Sequence, residues 1–315
     1  METTNAIEVE GLRKSYGQLE AVSGVDFEVR VGEVFCLLGP NGAGKTTTVE
    51  ILEGYRARSG GTVKVFGMDP AQAQRELRER VGIVLQSCGV QSDLTVAELL
   101  EMYGRYYESS RPIDELLALV ELETKRDTRA KQLSGGQRRR LDLALGLVGD
   151  PDLVFLDEPT TGFDPAARRH AWSTIRSLCS LGKTVFLTTH FMDEAQHLAD
   201  RVAVMRGGEI IASGRPDELG GRDQRPTEIR FVLPAGVTLA DLPDLGADRS
   251  IEEGLVLVRS HEGVRATHVL TEWALEHGHA LERFSVAQPS LEDVYLELTA
   301  DASSDVADAP ASASA

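Results

Sequence analysis

VFCLLGPNGAGKTTTVEIL, residues 34–52, decides the fold. Five apolar residues end at a glycine, a loop of small residues follows, and a helical run begins at its threonines. The loop, GPNGAGKT at 39–46, fits G-x-x-x-x-G-K-[ST] between a strand and a helix. Glycines let such a loop curl so that successive backbone N–H groups face phosphate oxygens, and the helix start adds positive potential. Lys45 reaches the outer phosphates and Thr46 offers a hydroxyl to Mg²⁺. A plain glycine turn is the competing reading, and the strand–loop–helix setting favours phosphate.

Outward from this segment, short strands are expected at IEV and VDFEV before it, then GTVKVFG, a polar helix AQAQRELRER and the strand VGIVL. Residues 94–122 repeat their apolar positions at three and four, as helices do. From 152 to 213 strands and helices alternate, which predicts a mainly parallel sheet flanked by helices. LVFLDE at 153–158 puts Asp157 and Glu158 where a buried strand emerges. In such sheets ligands sit outside the carboxyl ends of the strands, so Asp157 can hold Mg²⁺ through water and Glu158 can polarise an attacking water. PAARRHAWSTIRSLCS reads as a helix capped by Asp164 with Pro165 in its first turn. GGRDQRP at 220–226 reads as a linker, and residues 227–299 as a small α+β unit ending in a helix that opens with a Ser290–Asp293 capping box. The Ala/Ser/Asp-rich stretch 300–315 is too poor in apolar bulk to order itself.

LSGGQ at 133–137, directly before the helical run RRRLDLALGLVG, separates this chain from other phosphate-loop enzymes. With it, residues 1–220 resemble the ATP-binding-cassette (ABC) subunits of transporters. The resemblance implies an α/β phosphate-loop NTPase with a RecA-like core, antiparallel β and helical subdomains, and here a small C-terminal α+β domain. It implies ATP and Mg²⁺ as ligands and ATP hydrolysis as the reaction. On that resemblance Gly39, Pro40, Asn41, Gly42, Ala43, Gly44, Lys45, Thr46 and Thr47 cradle the phosphates. Tyr16 in KSYG resembles the aromatic that stacks on adenine, with plain core packing as its other reading. Gln86 and Asp157 join Thr46 at the metal, Glu158 and His190 are catalytic, and Asp164 of TGFD lies in an inter-subunit loop where Phe163 replaces the commoner leucine. Ser134, Gly135, Gly136 and Gln137 close over the ATP of a second copy, so a homodimer is implied.

SVAQPSLEDVYLELT at 285–299 is similar to the C-terminal end of daunorubicin-resistance-type exporter subunits. The expected role is to power a separate integral-membrane permease that exports a drug-like or lipid-like compound. An importer, a polysaccharide exporter or a soluble cassette ATPase are the alternatives. No run approaches the roughly 20 apolar residues that span a bilayer, so a peripheral position on the cytoplasmic face of the cell membrane is expected. A net charge of −17 argues against nucleic acid as a partner. Arg138, Arg139 and Arg140 read as solvated or interface charges, and HGH at 277–279 as no metal site. The three cysteines, with no C-x-x-C, fit buried thiols in a reducing compartment.

Overall fold

The structure, a computed structural model, describes residues 5–72, 74–84, 93–252 and 254–296. The chain divides into two compact units, Met1–Pro216 and Asp217–Ala315.

In the first unit β1 (Asn5–Tyr16) and β2 (Leu19–Arg30) form a long antiparallel hairpin, joined on its other side by β4 (Gly60–Val65). The hairpin is much longer than the short apolar runs within it, because β1 carries several register shifts that break the alternation a sequence reading depends on. The second sheet has six strands in the order β5 (Val81–Val84), β6 (Leu153–Asp157), β7 (Thr184–Thr189), β3 (Val34–Leu38), β8 (Arg201–Arg206) and β9 (Glu209–Gly214). Every pairing from β5 to β8 is parallel, and β9 closes the edge antiparallel. All five residues of β3 and all six of β7 are buried, as expected where both faces of a parallel sheet are covered. Phe27, Phe35, Phe186 and Phe155 form an aromatic chain from β2 through the sheet, with ring centroids 5.4, 5.4 and 5.5 Å apart in succession. It ties the antiparallel sheet to the parallel one.

The helices of this unit are α1 (Lys45–Leu52), α2 (Gln74–Arg80), α3 (Val96–Gly104), α4 (Ile113–Leu119), α5 (Gly135–Leu147), α6 (Pro165–Ser180) and α7 (Met192–Leu198). Helix α3 opens on a Thr95–Glu98 capping box, and α5 packs against α3, α4 and β5. Asp164 caps α6 as expected, accepting from the N–H groups of Ala166 and Ala167 at 2.9 and 2.8 Å.

The second unit has a four-stranded antiparallel sheet in the order β11 (Asp248–Glu252), β12 (Leu255–Ser260), β10 (Thr227–Phe231) and β13 (Ser285–Ala287). Helix α8 (Gly263–Glu276) packs on β10 and β12, and Ile229, Phe231, Val256, Val258 and Leu270 form the core. Strand β11 is absent from the sequence reading, because DRSIE offers almost no apolar signal. The 220–226 segment is not a bare linker. It holds a 3-10 turn at Leu219–Gln224, and the nearly buried Arg222 donates from Nε to the Pro289 carbonyl at 2.5 Å. The Ser290–Asp293 capping box is present, and residues 291–296 are helical. The 300–315 tail lies outside the described residues.

Candidate active site

Strand order brings the chemistry together. Strands β6, β7 and β3 are consecutive neighbours, with Asp157 opposite Thr188 and Leu38 opposite Thr189. Adjacent strands lie about 4.8 Å apart, so the residues that leave their carboxyl ends must meet. These are Glu158, His190 and the loop 39–46.

The loop curls as its glycines require. A Cβ on Gly39 would meet the Met205 carbonyl oxygen at 2.2 Å, and Gly44 caps α1 at φ 105°. Either side chain would force the backbone away from this path. Thr46 lies exposed in the first turn of α1, while Lys45 is buried. Its Nζ donates to the carbonyls of Gly39 at 2.7 Å and Pro40 at 3.1 Å, and lies 3.7 Å from Glu158 Oε1. Burial lowers its pKa, against the opposing pull of the Glu158 and Asp157 charges.

Glu158 is the centre of the arrangement. Its φ of 46° is left-handed, a conformation that costs a non-glycine residue about 1–3 kcal/mol and persists only where the surroundings impose it. Here its N–H donates to the Thr188 carbonyl at 3.1 Å and lies 3.2 Å from Thr188 Oγ1. Thr161 Oγ1 donates to Oε2 at 3.2 Å. His190 Nδ1 approaches Oε1 to 3.2 Å, a close electrostatic contact without hydrogen-bond alignment. Burial pushes the Glu158 pKa up, but His190, Lys45 and Thr161 outweigh it, and the carboxyl is held below its ordinary value. At neutral pH it is therefore an ionised base beside a histidine and a lysine.

Thr188 also donates from Oγ1 to Asp157 Oδ1 at 2.5 Å. Asp157 and the exposed Thr46 hydroxyl offer hard oxygen donors, the chemistry Mg²⁺ takes. Among the described residues no three His, Cys, Asp or Glu side chains cluster as a metal cage.

The other expected site residues lie elsewhere. Ser134 caps α5 and exchanges hydrogen bonds with Gln137 in a capping box, leaving Ser134 and Gly135 exposed. Tyr16 ends β1, is 40% exposed and has Lys14 Nζ 4.9 Å and Arg56 Cζ 5.4 Å from its ring centroid, which weighs against plain core packing. Gln86 and Cys88 lie outside the described residues.

Several supporting residues escaped the sequence reading. Thr188 orders both acids, although its signal was present as the polar end of an otherwise apolar strand. Glu194 is fully buried on α7, accepting from Thr160 Oγ1 at 2.8 Å and Trp172 Nε1 at 3.2 Å. Burial raises its pKa against those hydrogen bonds. Its clue was a charged residue beside Ala195 on the buried face of a helix. The three arginines of α5, of which Arg138 is exposed and the others half-buried, each have a carbonyl anchor: Arg138 donates to the Ala130 carbonyl, Arg139 to the Pro159 carbonyl and Arg140 to the Glu121 carbonyl, each at 3.2 Å.

Both units of the chain resemble known proteins. Residues 22–161 match the family described as ABC transporter. Residues 227–290 match the C-terminal domain of ABC transporter domain-containing protein-like sequences. The chain is 40% identical over 299 residues to the Nod factor export ATP-binding protein I of Paraburkholderia xenovorans (strain LB400), covering 93% of this chain and 97% of that one. It is 37% identical over 305 residues to the daunorubicin resistance ATP-binding protein DrrA3 of Streptomyces coeruleorubidus, covering 94% and 96%. Among solved structures, cbiO1 from Clostridium perfringens, part of the ABC transporter complex cbiONQ, superposes with a TM-score of 0.62 at 30% identity, over 68% of this chain and 90% of that one. The ADP conformation of MJ1267, an ATP-binding cassette of an ABC transporter, gives 0.61 at 25%, over 69% and 93%.

Proposed function

The chain belongs to the ABC transporter family as an ATP-binding subunit, and from that premise we propose that it hydrolyses ATP to drive a separate membrane permease in exporting a drug-like or lipid-like compound. The observation that carries the hydrolytic reading is Glu158 itself, ionised, held in a left-handed turn, and in contact with both Lys45 and His190. The export reading rests on relatives named for Nod factor export and daunorubicin resistance, which match this chain through both of its units.

The residues act as follows. The N–H groups around Gly42–Thr46 receive the phosphates at the start of α1. Lys45 exchanges the Gly39 and Pro40 carbonyls for phosphate oxygens, which also loosens its tie to Glu158. Glu158 then accepts the proton of the attacking water, and His190 steadies that water and the outermost phosphate. Thr46 and Asp157 would hold Mg²⁺, which would supply charge neutralisation on the phosphates. Tyr16 stacks on the base and, reading only its face, discriminates weakly between purines.

Two copies complete the site. Each chain carries one phosphate loop at the end of β3 and one signature sequence at the start of α5, and Ser134 and Gly135 are exposed to receive a partner's nucleotide. Among the described residues no helix is long and apolar enough to cross a membrane. The position assigned to it is the cytoplasmic face, with attachment through protein, since anionic lipid repels a surface of net charge −17. The groove lined by Tyr55, Arg78, Glu79, Tyr103 and Tyr106 suits the permease, with Tyr55 and Tyr106 67% and 75% exposed.

The test is Glu158→Gln. Steady-state turnover should fall at least about 10²-fold, the lower range for a general base, while ATP still binds. Near-normal turnover would remove Glu158 from the mechanism.

A further inference from the structure

One arginine of the signature helix reaches the turn that carries the base. Arg139, half-buried on α5, donates from Nε to the Pro159 carbonyl at 3.2 Å and from Nη2 to the Asp157 carbonyl at 3.4 Å. Those two carbonyls bracket Glu158. A single guanidinium thus grips the backbone on either side of the residue whose φ is 46°. The same turn is also held by Thr188 of β7, through the Glu158 N–H. The left-handed turn is braced from two elements, and only one of them, β7, belongs to the sheet.

We propose that Arg139 is a positioning residue that fixes the Glu158 carboxylate and makes its alignment depend on where the signature helix stands. The proposal rests on the reading of Glu158 as general base. Arg139 lies five residues after Ser134 on one continuous helix, about 7.5 Å along its axis at 1.5 Å per residue. A rigid helix carries a displacement of its first turn to the guanidinium with little loss. The planar fork of arginine presents two donors at a fixed separation, so it transmits that displacement to both carbonyls at once. A lysine, a single rotating point charge, cannot span them. When a partner's nucleotide seats on Ser134 and α5 shifts, the Glu158 turn shifts with it. Hydrolysis is then poised only when the signature helix is in register, without any residue of α5 contacting the attacking water.

A double-mutant cycle on the full-length chain tests this. Arg139→Met keeps the apolar stem and removes the fork. Its kcat should fall roughly 10- to 100-fold, the scale of a 1 Å misplacement, with ATP affinity within about threefold of native. Arg139→Lys should stay close to the Met variant and fail to restore turnover. In a Glu158→Gln background, Arg139→Met should cost nothing further, because both changes disable the same group. The proposal is overturned if either Arg139 variant turns over normally. It is equally overturned if Arg139→Met costs the same factor in both backgrounds, or if ATP affinity and melting temperature fall together with turnover, since those are the marks of a general structural role. If Glu158→Gln alone turns over normally, the general-base assignment has failed and the proposal falls with it.

Discussion

The parallel-stranded sheet of the first unit and the antiparallel sheet of the second bury themselves differently, and the difference explains where the chemistry sits. In the first unit β3 and β7 are buried along their whole length. Such strands have no side chain to spare for solvent, so polar function gathers at their carboxyl ends, in the last residues of the strands and those that follow. Lys45, Glu158 and His190 lie beyond the carboxyl ends of β3, β6 and β7. In the second unit β10 alternates, with Ile229 and Phe231 buried and Arg230 exposed, and the edge strand β13 is exposed throughout. Its charged side chains pair along the outward surface, Arg259 with Glu228 at 3.1 Å and with Glu252 at 3.5 Å. That unit spends its polar residues on its own sheet, and no expected nucleotide residue falls in it.

The chain has two tryptophans, Trp172 on α6 and Trp273 on α8, one in each unit. Each can report its own unit once the other is replaced by phenylalanine. The largest effect should come from the cores. Phe186, buried with three phenylalanine neighbours, and Phe231, buried in the second core, should each cost about 3–5 kcal/mol on truncation to alanine. Phe186→Ala should shift the Trp172 unfolding transition and abolish turnover, whereas Phe231→Ala should shift the Trp273 transition and spare turnover. Loss of turnover in Phe231→Ala would end the division of labour between the units.

Acid should sharpen the contrast. Glu53, at the carboxyl end of α1, has its pKa raised from 4.5 to about 8 by burial, with the Asp157 and Glu50 charges adding to it. A carboxyl raised in the folded state contributes stability that is complete below its unfolded value and lost as pH rises through the folded one. Glu53→Gln should therefore match the native chain near pH 4.5 and gain on it steadily up to about pH 8. In the second unit the Asp293 carboxyl is held below its ordinary value, chiefly by the Ser290 hydroxyl. Its contribution is present above the ordinary aspartate range and lost as pH falls through its folded value. Asp293→Asn should thus lose most against the native chain at neutral pH and least in acid. Urea titrations followed at each tryptophan across this range would reveal whether the two slopes are opposite in sign.

The smallest effect concerns a helix cap. Asp164→Ala removes two backbone hydrogen bonds at the start of α6 and should lower cassette stability by about 0.5–2 kcal/mol, read at Trp172, without moving the Trp273 transition.

Much of this was legible in the chain itself. GPNGAGKT could be read because a loop that wraps phosphate must contain glycines where a Cβ would strike backbone, as at Gly39. The strands VFCLL, LVFLD and TVFLTT were legible because burial on both faces leaves continuous apolar runs. Asp164 and Ser290 announced helix starts because capping is settled within three residues. Sequence therefore fixed the local elements and the residue types at their ends. Only the tertiary structure decided that β6, β7 and β3 lie side by side, so that residues 45, 158 and 190 converge. It decided the full span of the β1–β2 hairpin, the polar strand β11 and the buried Arg222. It also gave three consecutive arginines three different anchors. The reason is the same in each case: apolar periodicity records which face of an element is buried, but a pairing partner or a carbonyl dozens of residues away leaves no mark on the local pattern.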